Sequence, residues 1–427
     1  MLNRLLIPEI KSAIDFEFHL QNIQTTILPN GIPLYSINDG VQEVLQFEMV
    51  FKAGLWHETQ KGAAQATAAL FKSGTSSKSS FQINEAFEQY GVSVKAGAGN
   101  DWASITVSCL SKYLERILPL LAELLQDTVF PQQELDIHIQ NSLQRLSIQL
   151  RKGDFVANRL IDAALFGETH PYGKFMHAED ISAIQRKHLS DHLKSLYTAG
   201  KVKFFLAGKY APEVLDAISR VFGENHWNSA TLVPDASYPL KPATEKKWRV
   251  VNDAQSVQGA IRMASDFPLK THPDFSPMIV LNTLFGGYFG SRLMSNIREE
   301  KGYTYGIHSY LHNHLNAGAI MISTEAGKDV AEATVEEVYH EMQLLHDEVV
   351  SEDELLLVKN YLLGSILGDL DGSFQIIQRW KNLILNGFTE ERFYKNIEIY
   401  KNITAEELQV LARKYYQPDR FYELIVT

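Results

Sequence analysis

Arg298-Glu299-Glu300-Lys301-Gly302-Tyr303-Thr304-Tyr305 carries the chain from a helix into a strand. Gly302 is the stop, because a residue tolerant of the left-handed region closes a helix without steric cost. The aromatic and β-branched residues behind it favour extended backbone. Just upstream, Gly286-Gly287-Tyr288-Phe289-Gly290-Ser291-Arg292-Leu293 sets three glycines around two aromatics. It lacks the Gly-Lys-Ser/Thr ending of a phosphate loop. One reading is a helix-start turn that needs positive φ. Downstream, His308, His312 and His314 fall at even positions, which puts all three on one face of the predicted strand. Three histidines can hold a metal, but no carboxylate accompanies them, so a structural strand is the preferred reading.

The same alternation of strand and helix runs through the chain. Leu45, Phe47, Met49 and Phe51 recur every second residue, as do Ile105, Val107 and Cys109. Ile83, Phe87 and Tyr90 share a helical face. Leu114, Ile117, Leu118, Leu121, Leu124 and Leu125 form a longer one. Leu135, Ile139, Leu143, Leu146 and Leu150 mark the next helix. Strands joined by tight turns, followed by long helices, predict an α+β fold with mainly antiparallel sheets.

The stretch from Asn225 to Trp248 breaks the pattern with Pro234, Pro239 and Pro242 among polar residues, and it reads as a connection. The expected division is an N-terminal half over 1–228, a linker over 229–247 and a C-terminal half over 248–427. The halves repeat one another. Leu70-Phe71, Glu134-Leu135 and Tyr197 have counterparts in Leu284-Phe285, Glu354-Leu355 and Tyr416, in the same order, at an offset of roughly 220 positions. Two homologous α+β halves are therefore expected.

Composition narrows the function. The 427 residues carry 40 Lys and Arg against 51 Asp and Glu, a net charge of −11. Phosphate contacts need cations, so nucleic acid is a poor partner. One cysteine, Cys109, cannot form an internal disulfide and reads as a small core residue. Glu9 and Lys11 interrupt the apolar start at Met1–Ile7, and no stretch is apolar enough to span a membrane. A cytoplasmic location is expected, or a periplasmic one if a leader has been removed.

These residues resemble the pitrilysin/insulinase family of metallopeptidases, in its processing-peptidase-like branch. The resemblance covers nearly the whole chain. Leu28-Pro29-Asn30-Gly31 resembles the family's opening turn, and Gly62 through Thr75 the helix and turn that carry its zinc motif. Phe130-Pro131 and the helix after it resemble the segment supplying the last ligand. Arg298 through Tyr305 resembles the signature of the C-terminal half.

The family motif, His-x-x-Glu-His, pairs two ligands on one helix face with a general base. Aligned on Gly74-Thr75, its positions fall on Gln65, Ala68 and Ala69. No Asp, Glu or His occurs between Glu58 and Glu85, and no Glu between Leu135 and Gly167, where Gln144-Arg145 takes the place of the third ligand. Alanine cannot bind zinc and glutamine binds it weakly. No metal or other cofactor is expected in this chain.

The resemblance also implies a role for what is retained. Arg298 and Tyr305 are similar to a pair that reaches an active site from the far half or from a partner. There they would direct fixed donors at charge developing on a scissile carbonyl. Gly286, Gly287, Tyr288, Phe289 and Gly290 are similar to a glycine-rich stretch that contacts substrate. The chain is thus expected to be the non-zinc subunit of a heterodimeric zinc peptidase, inactive alone. Its partner would be a homologous subunit carrying the zinc. Its substrates would be peptides bound as added strands, and it would form a homodimer when the partner is absent. The rival readings are an inactive scaffold homologue and, last, a hydrolase built on the His308 cluster.

Overall fold

The computed structural model describes residues 11–198, 200, 202–224 and 236–427. Six strands form the first sheet: β1 (Gln24–Ile27), β2 (Pro33–Asn38), β3 (Val44–Phe51), β4 (Ser93–Ala98), β5 (Ala103–Leu110) and β6 (Val202–Gly208). Their order is β1-β2-β6-β3-β5-β4. Five more, β7 (Lys247–Val250), β8 (Gln258–Phe267), β9 (Thr304–Asn313), β10 (Gly318–Gly327) and β11 (Tyr422–Val426), form the second, in the order β7-β11-β8-β10-β9. Each sheet is antiparallel except for one parallel pair, β2 with β6 and β7 with β11. Without β1 the two orders match strand for strand, so the fold is two homologous α+β halves.

The repeated landmarks occupy matching places. Tyr197 stacks on Phe51 and Tyr416 packs on Phe285, each at 4.6 Å between ring centroids. Leu135 and Leu355 are both buried in the first turn of long helices, Gln132–Gln149 and Glu352–Gly368. The alternating residues of β3 and β5 are buried as expected, Cys109 among them. The five-residue stripe beginning at Leu135 is not. Only Leu135 and Leu146 are buried, and Leu150 lies beyond the helix end, exposed. The main helical neighbour there is the short Ala178–Ser182, too small to cover the stripe.

Residues 225–235, which take in 229–235 of the expected linker, lie outside the described residues. The stretch 236–246 has no regular structure, and Lys247 already pairs with Glu423 in the sheet.

The halves are interlocked by an exchange of helices. Helix Gly153–Phe166, from the N-terminal half, packs across β8 and β11 of the second sheet. There Ala157 and Ile161 meet Ala260, Ala264 and Leu424 in one core. Helix Ser373–Leu385 returns the exchange by packing on β6 and β2. Each crossing has a polar anchor. Arg262 Nε in β8 donates to Asn158 Oδ1 at 2.6 Å, and Lys381 Nζ meets Glu48 Oε2 in β3 at 2.7 Å. Arg262 and Glu48 are the buried members of these anchors, and for Glu48 a paired charge is far less costly than an orphaned one.

Candidate functional site

Helix Ala63–Ala69 is the retained counterpart of a zinc-binding helix. Gln65 and Ala69 share its exposed face, whereas Ala68 is buried in the core behind it. Gln144 and Arg145 are both exposed on the helix Gln132–Gln149. The residues at these positions do not fit a zinc ion. The helix keeps an ordered start all the same. Gly62 enters it at φ 86°, and Glu58 caps it. Glu58 Oε2 accepts the backbone N–H of Gly62 at 3.0 Å and of Ala64 at 3.2 Å, while Oε1 meets Lys174 Nζ at 2.9 Å. Glu58 stands outside the motifs that the sequence singles out. Its signal is a carboxylate four residues ahead of a glycine-led helix, where the helix dipole favours negative charge.

Tyr305 is presented by a β-bulge. Ala326 faces Thr304 and Thr324 faces Ile307, so Tyr305 and Gly306 together oppose the single residue Glu325. A bulge turns a side chain out of the regular alternation, and Tyr305 is 93% exposed. The turn is held by hydroxyls. Thr304 Oγ1 reaches the carbonyl of Glu325 at 2.7 Å, and Thr324 Oγ1 lies 2.9 Å from the carbonyl of Gly306. Arg298 closes the site. It stands in the helical segment Met294–Glu300, which Gly302 ends at φ 64°. Its Nε donates to the carbonyl of Tyr305 at 3.1 Å, its guanidinium lies 4.5 Å from the centre of the Phe289 ring, and Glu299 is 3.6 Å away. Arg298, Tyr305 and Phe289 are therefore brought together. The Tyr305 hydroxyl has no hydrogen-bond partner among the described residues, and no hydrogen bond or ion pair joins this group to Gln65 or Ala69.

The glycine-rich segment is glycine-rich for a reason other than positive φ. Gly286, Gly287 and Gly290 are all absent from the left-handed region. A Cβ on Gly286 would sit 2.8 Å from both Cβ and N of Ser309, so the loop needs glycine to close against β9. Asn282 fastens the same contact, donating to the Ser309 carbonyl at 2.9 Å. Tyr288 packs on Tyr361 at 4.7 Å, and Phe289 stays 62% exposed beside Arg298.

The three histidines do not share one face. β9 ends at Asn313, and the chain turns His314 into the junction between the halves. His314 stacks on Tyr172 at 4.0 Å, and the Asn100 side-chain amide meets its Nδ1 at 3.2 Å. That bond needs the nitrogen unprotonated. Burial, with His312, His170 and Lys270 nearby, pushes the His314 pKa down to about 3. His308 remains exposed on the strand. Among the described residues no group of three or more His, Cys, Asp or Glu is placed to hold a metal, and no helix is long and apolar enough to cross a membrane. His170, to which the sequence reading assigned nothing, belongs to this aromatic junction with Trp56 and Tyr172.

Comparison with known proteins adds the family context. Residues 34–171 match the family described as insulinase (peptidase family M16), and residues 183–362 match the peptidase M16 inactive domain. The chain is 22% identical to the zinc protease YmxG of Bacillus subtilis over 408 residues, covering 92% of this chain and 98% of that protein. It is 23% identical to the rat mitochondrial-processing peptidase subunit beta over 398 residues, covering 86% and 77%. A solved peptidase M16 inactive domain from Pseudomonas fluorescens superposes with a TM-score of 0.83 at 22% identity, covering 95% of this chain and 98% of the other.

Proposed function

The chain belongs to the insulinase, or M16, peptidase family, and from that premise we propose that it is the non-zinc subunit of a two-chain zinc peptidase. A homologous partner with an intact His-x-x-Glu-His helix holds the metal. This chain contributes Arg298 and Tyr305 across the interface. One observation carries the reading: the bulge in β9 points a phenol out of the molecule with its hydroxyl unpartnered, while Arg298 is tied down behind it. A donor so presented serves something outside its own chain.

In the complex the Tyr305 hydroxyl donates to the carbonyl oxygen of the peptide bond under attack. Arg298 adds positive charge on the same side, so both favour the oxyanion over the ground-state carbonyl. Peptides lie as an added strand against a sheet edge, which selects short or unfolded chains. Phe289 and the exposed part of the glycine-rich segment line the approach.

The test is reconstitution. Mixing the purified chain with a homologue that carries the intact motif is expected to create peptide hydrolysis that this chain lacks by itself. A complex that forms but works no faster than the zinc-bearing chain alone would make this protein a scaffold. Metal analysis showing one tight zinc in the isolated chain would overturn the proposal outright.

A further inference from the structure

A cavity of about 850 Å³ opens between helices Ser373–Leu385 and Glu390–Asn402, reached from the first sheet by Gln46. Its charge is opposite to that of the whole chain. Lys270, Arg379 and Arg392 line it against a single acid, Asp369, in a protein of net charge −11. Asp369 takes only the Nη2 side of Arg379. The Nε of Arg379 is buried without a hydrogen-bond partner. Arg392 spends Nη2 on the Lys270 carbonyl at 2.7 Å and the Ser276 hydroxyl at 3.1 Å. Among the described residues no carboxylate lies within ion-pair distance of Lys270 or Arg392.

Burial pushes the Tyr400 phenol up to about 12, and the positive charges of Arg379 and Arg392 both act in the opposite direction. Burial also holds the Lys270 ammonium below the usual lysine range. Asp369 answers only Arg379, and the carboxylate of Asp101, which acts on Lys270, lies beyond ion-pair distance, so an anion delivered to the cavity would meet an excess of positive charge and be bound strongly. The remaining walls are mixed, with the amides of Gln375, Gln378, Asn382 and Asn396 set among aromatic rings. Phe388 and Phe393 lie under the faces of Arg392 and Arg379, at 5.1 and 5.6 Å, and Phe275 and Phe374 complete the lining.

We infer that this cavity is a binding site for a carboxylate carried on an aromatic or branched apolar body. The guanidinium fork matches a planar carboxylate, and the four phenylalanines of the lining match an apolar body. Two sources offer this chemistry, the free C-terminus of a peptide ending in an apolar residue and a free small organic acid. The cavity lies within one chain, so the inference stands or falls apart from the proposed two-chain peptidase.

Calorimetric titration of the isolated chain tests it with four probes: N-acetyl-phenylalanine, its amide, and acetyl-Gly-Gly-Gly-Phe as free acid and as amide. The acids are expected to bind at least about tenfold more tightly than the amides. Tighter binding of the peptide acid identifies a peptide terminus, and equal binding a free acid. Arg379→Gln should cost about tenfold or more in affinity for both acids. Lys270→Met, which removes no hydrogen bond or ion pair of the fold, should weaken binding in the same direction and keep the wild-type melting temperature. Amides that bind as well as acids, or inorganic phosphate that binds when neither acid does, would overturn the assignment. So would wild-type affinity in a folded Lys270→Met protein.

Discussion

Arg298 is fastened to Tyr305 by a hydrogen bond from its Nε to the Tyr305 carbonyl, 3.1 Å long. The guanidinium thus fixes the backbone from which the phenol projects, and it does so without touching the phenol itself. The two side chains should therefore fail differently. Tyr305→Phe removes only an exposed hydroxyl, so melting should not change, while kcat of the reconstituted complex should fall by roughly 10²–10³. Arg298→Lys loses the fork and the stacking on Phe289 together, so it should lower kcat and soften the bulge. Steady-state kinetics and melting curves on both variants check this. An unchanged kcat in Tyr305→Phe removes its catalytic role.

Thr324 supports the same bulge from the neighbouring strand. Its Oγ1 lies 2.8 Å from Thr304 Oγ1 and 2.9 Å from the Gly306 carbonyl. Thr324→Val keeps the shape and deletes these bonds at a buried site, which should cost about 1–3 kcal/mol of stability. Register in a strand is all or nothing for side-chain direction, so a relaxed bulge also misdirects Tyr305. The expected signature is non-additivity. Once Tyr305 is Phe, Thr324→Val should change kcat little, and full additivity would show that the bulge does not position the phenol.

Much of this site was legible in the residues because its signals are local. Gly302 stops a helix and the residues after it form a strand, and both follow from backbone preference. The duplicated architecture was legible because Tyr197 and Tyr416 recur in the same order among the same neighbours. What escaped is non-local. The bulge depends on Glu325, a residue of the adjacent strand. The helix exchange depends on which sheet Gly153–Phe166 covers, and its apolar face does not say. A glycine-rich turn suggests positive φ at Gly286, but the constraint is the approach of Ser309 from β9. His314 followed the even spacing of His308 and His312, and only the end of β9 sends it inward.

Glu58 holds the start of the former zinc helix through two backbone N–H groups and Lys174. Glu58→Gln keeps the size but discharges the cap, leaving the Lys174 ammonium in a mostly buried place with the Leu55 carbonyl but no counter-charge. Loss of about 2–4 kcal/mol is expected from denaturant titration. Lys174→Met in addition should recover part of it, because the orphaned charge is then gone. If the double variant is as unstable as the sum of the singles, the pair is not coupled.

Restoring the motif should not restore a metal site. In Gln65→His, Ala68→Glu and Ala69→His combined, the two histidines share an exposed face, but the glutamate enters a core position of only 5% exposure. The distal ligand is still absent at Gln144 and Arg145. The triple variant should be less stable than the parent and hold less than about a tenth of a zinc per chain after dialysis. Stoichiometric zinc would show that another residue supplies the third ligand.

The junction between the halves should weaken in acid. His314 is held neutral in the fold, with its pKa pushed from 6.5 to about 3 by burial and by His312, His170 and Lys270. The unfolded chain then binds the proton that the folded one refuses. The stability from this group is complete above the unfolded pKa and is lost as pH falls from about 6.5 toward 3, by at most about 1.4 kcal/mol per pH unit. Asp162 works in the opposite sense. Burial raises it to about 7, so the fold takes up a proton there that the unfolded chain does not, and stability gains as pH falls toward 4. The wild-type profile alone mixes the two, and a variant separates them. His314→Phe keeps a ring against Tyr172 and cannot be protonated. Its melting temperature should fall less between pH 7 and pH 5 than that of the wild type, whatever its absolute stability. Parallel profiles would mean that the junction opens to let His314 ionise freely.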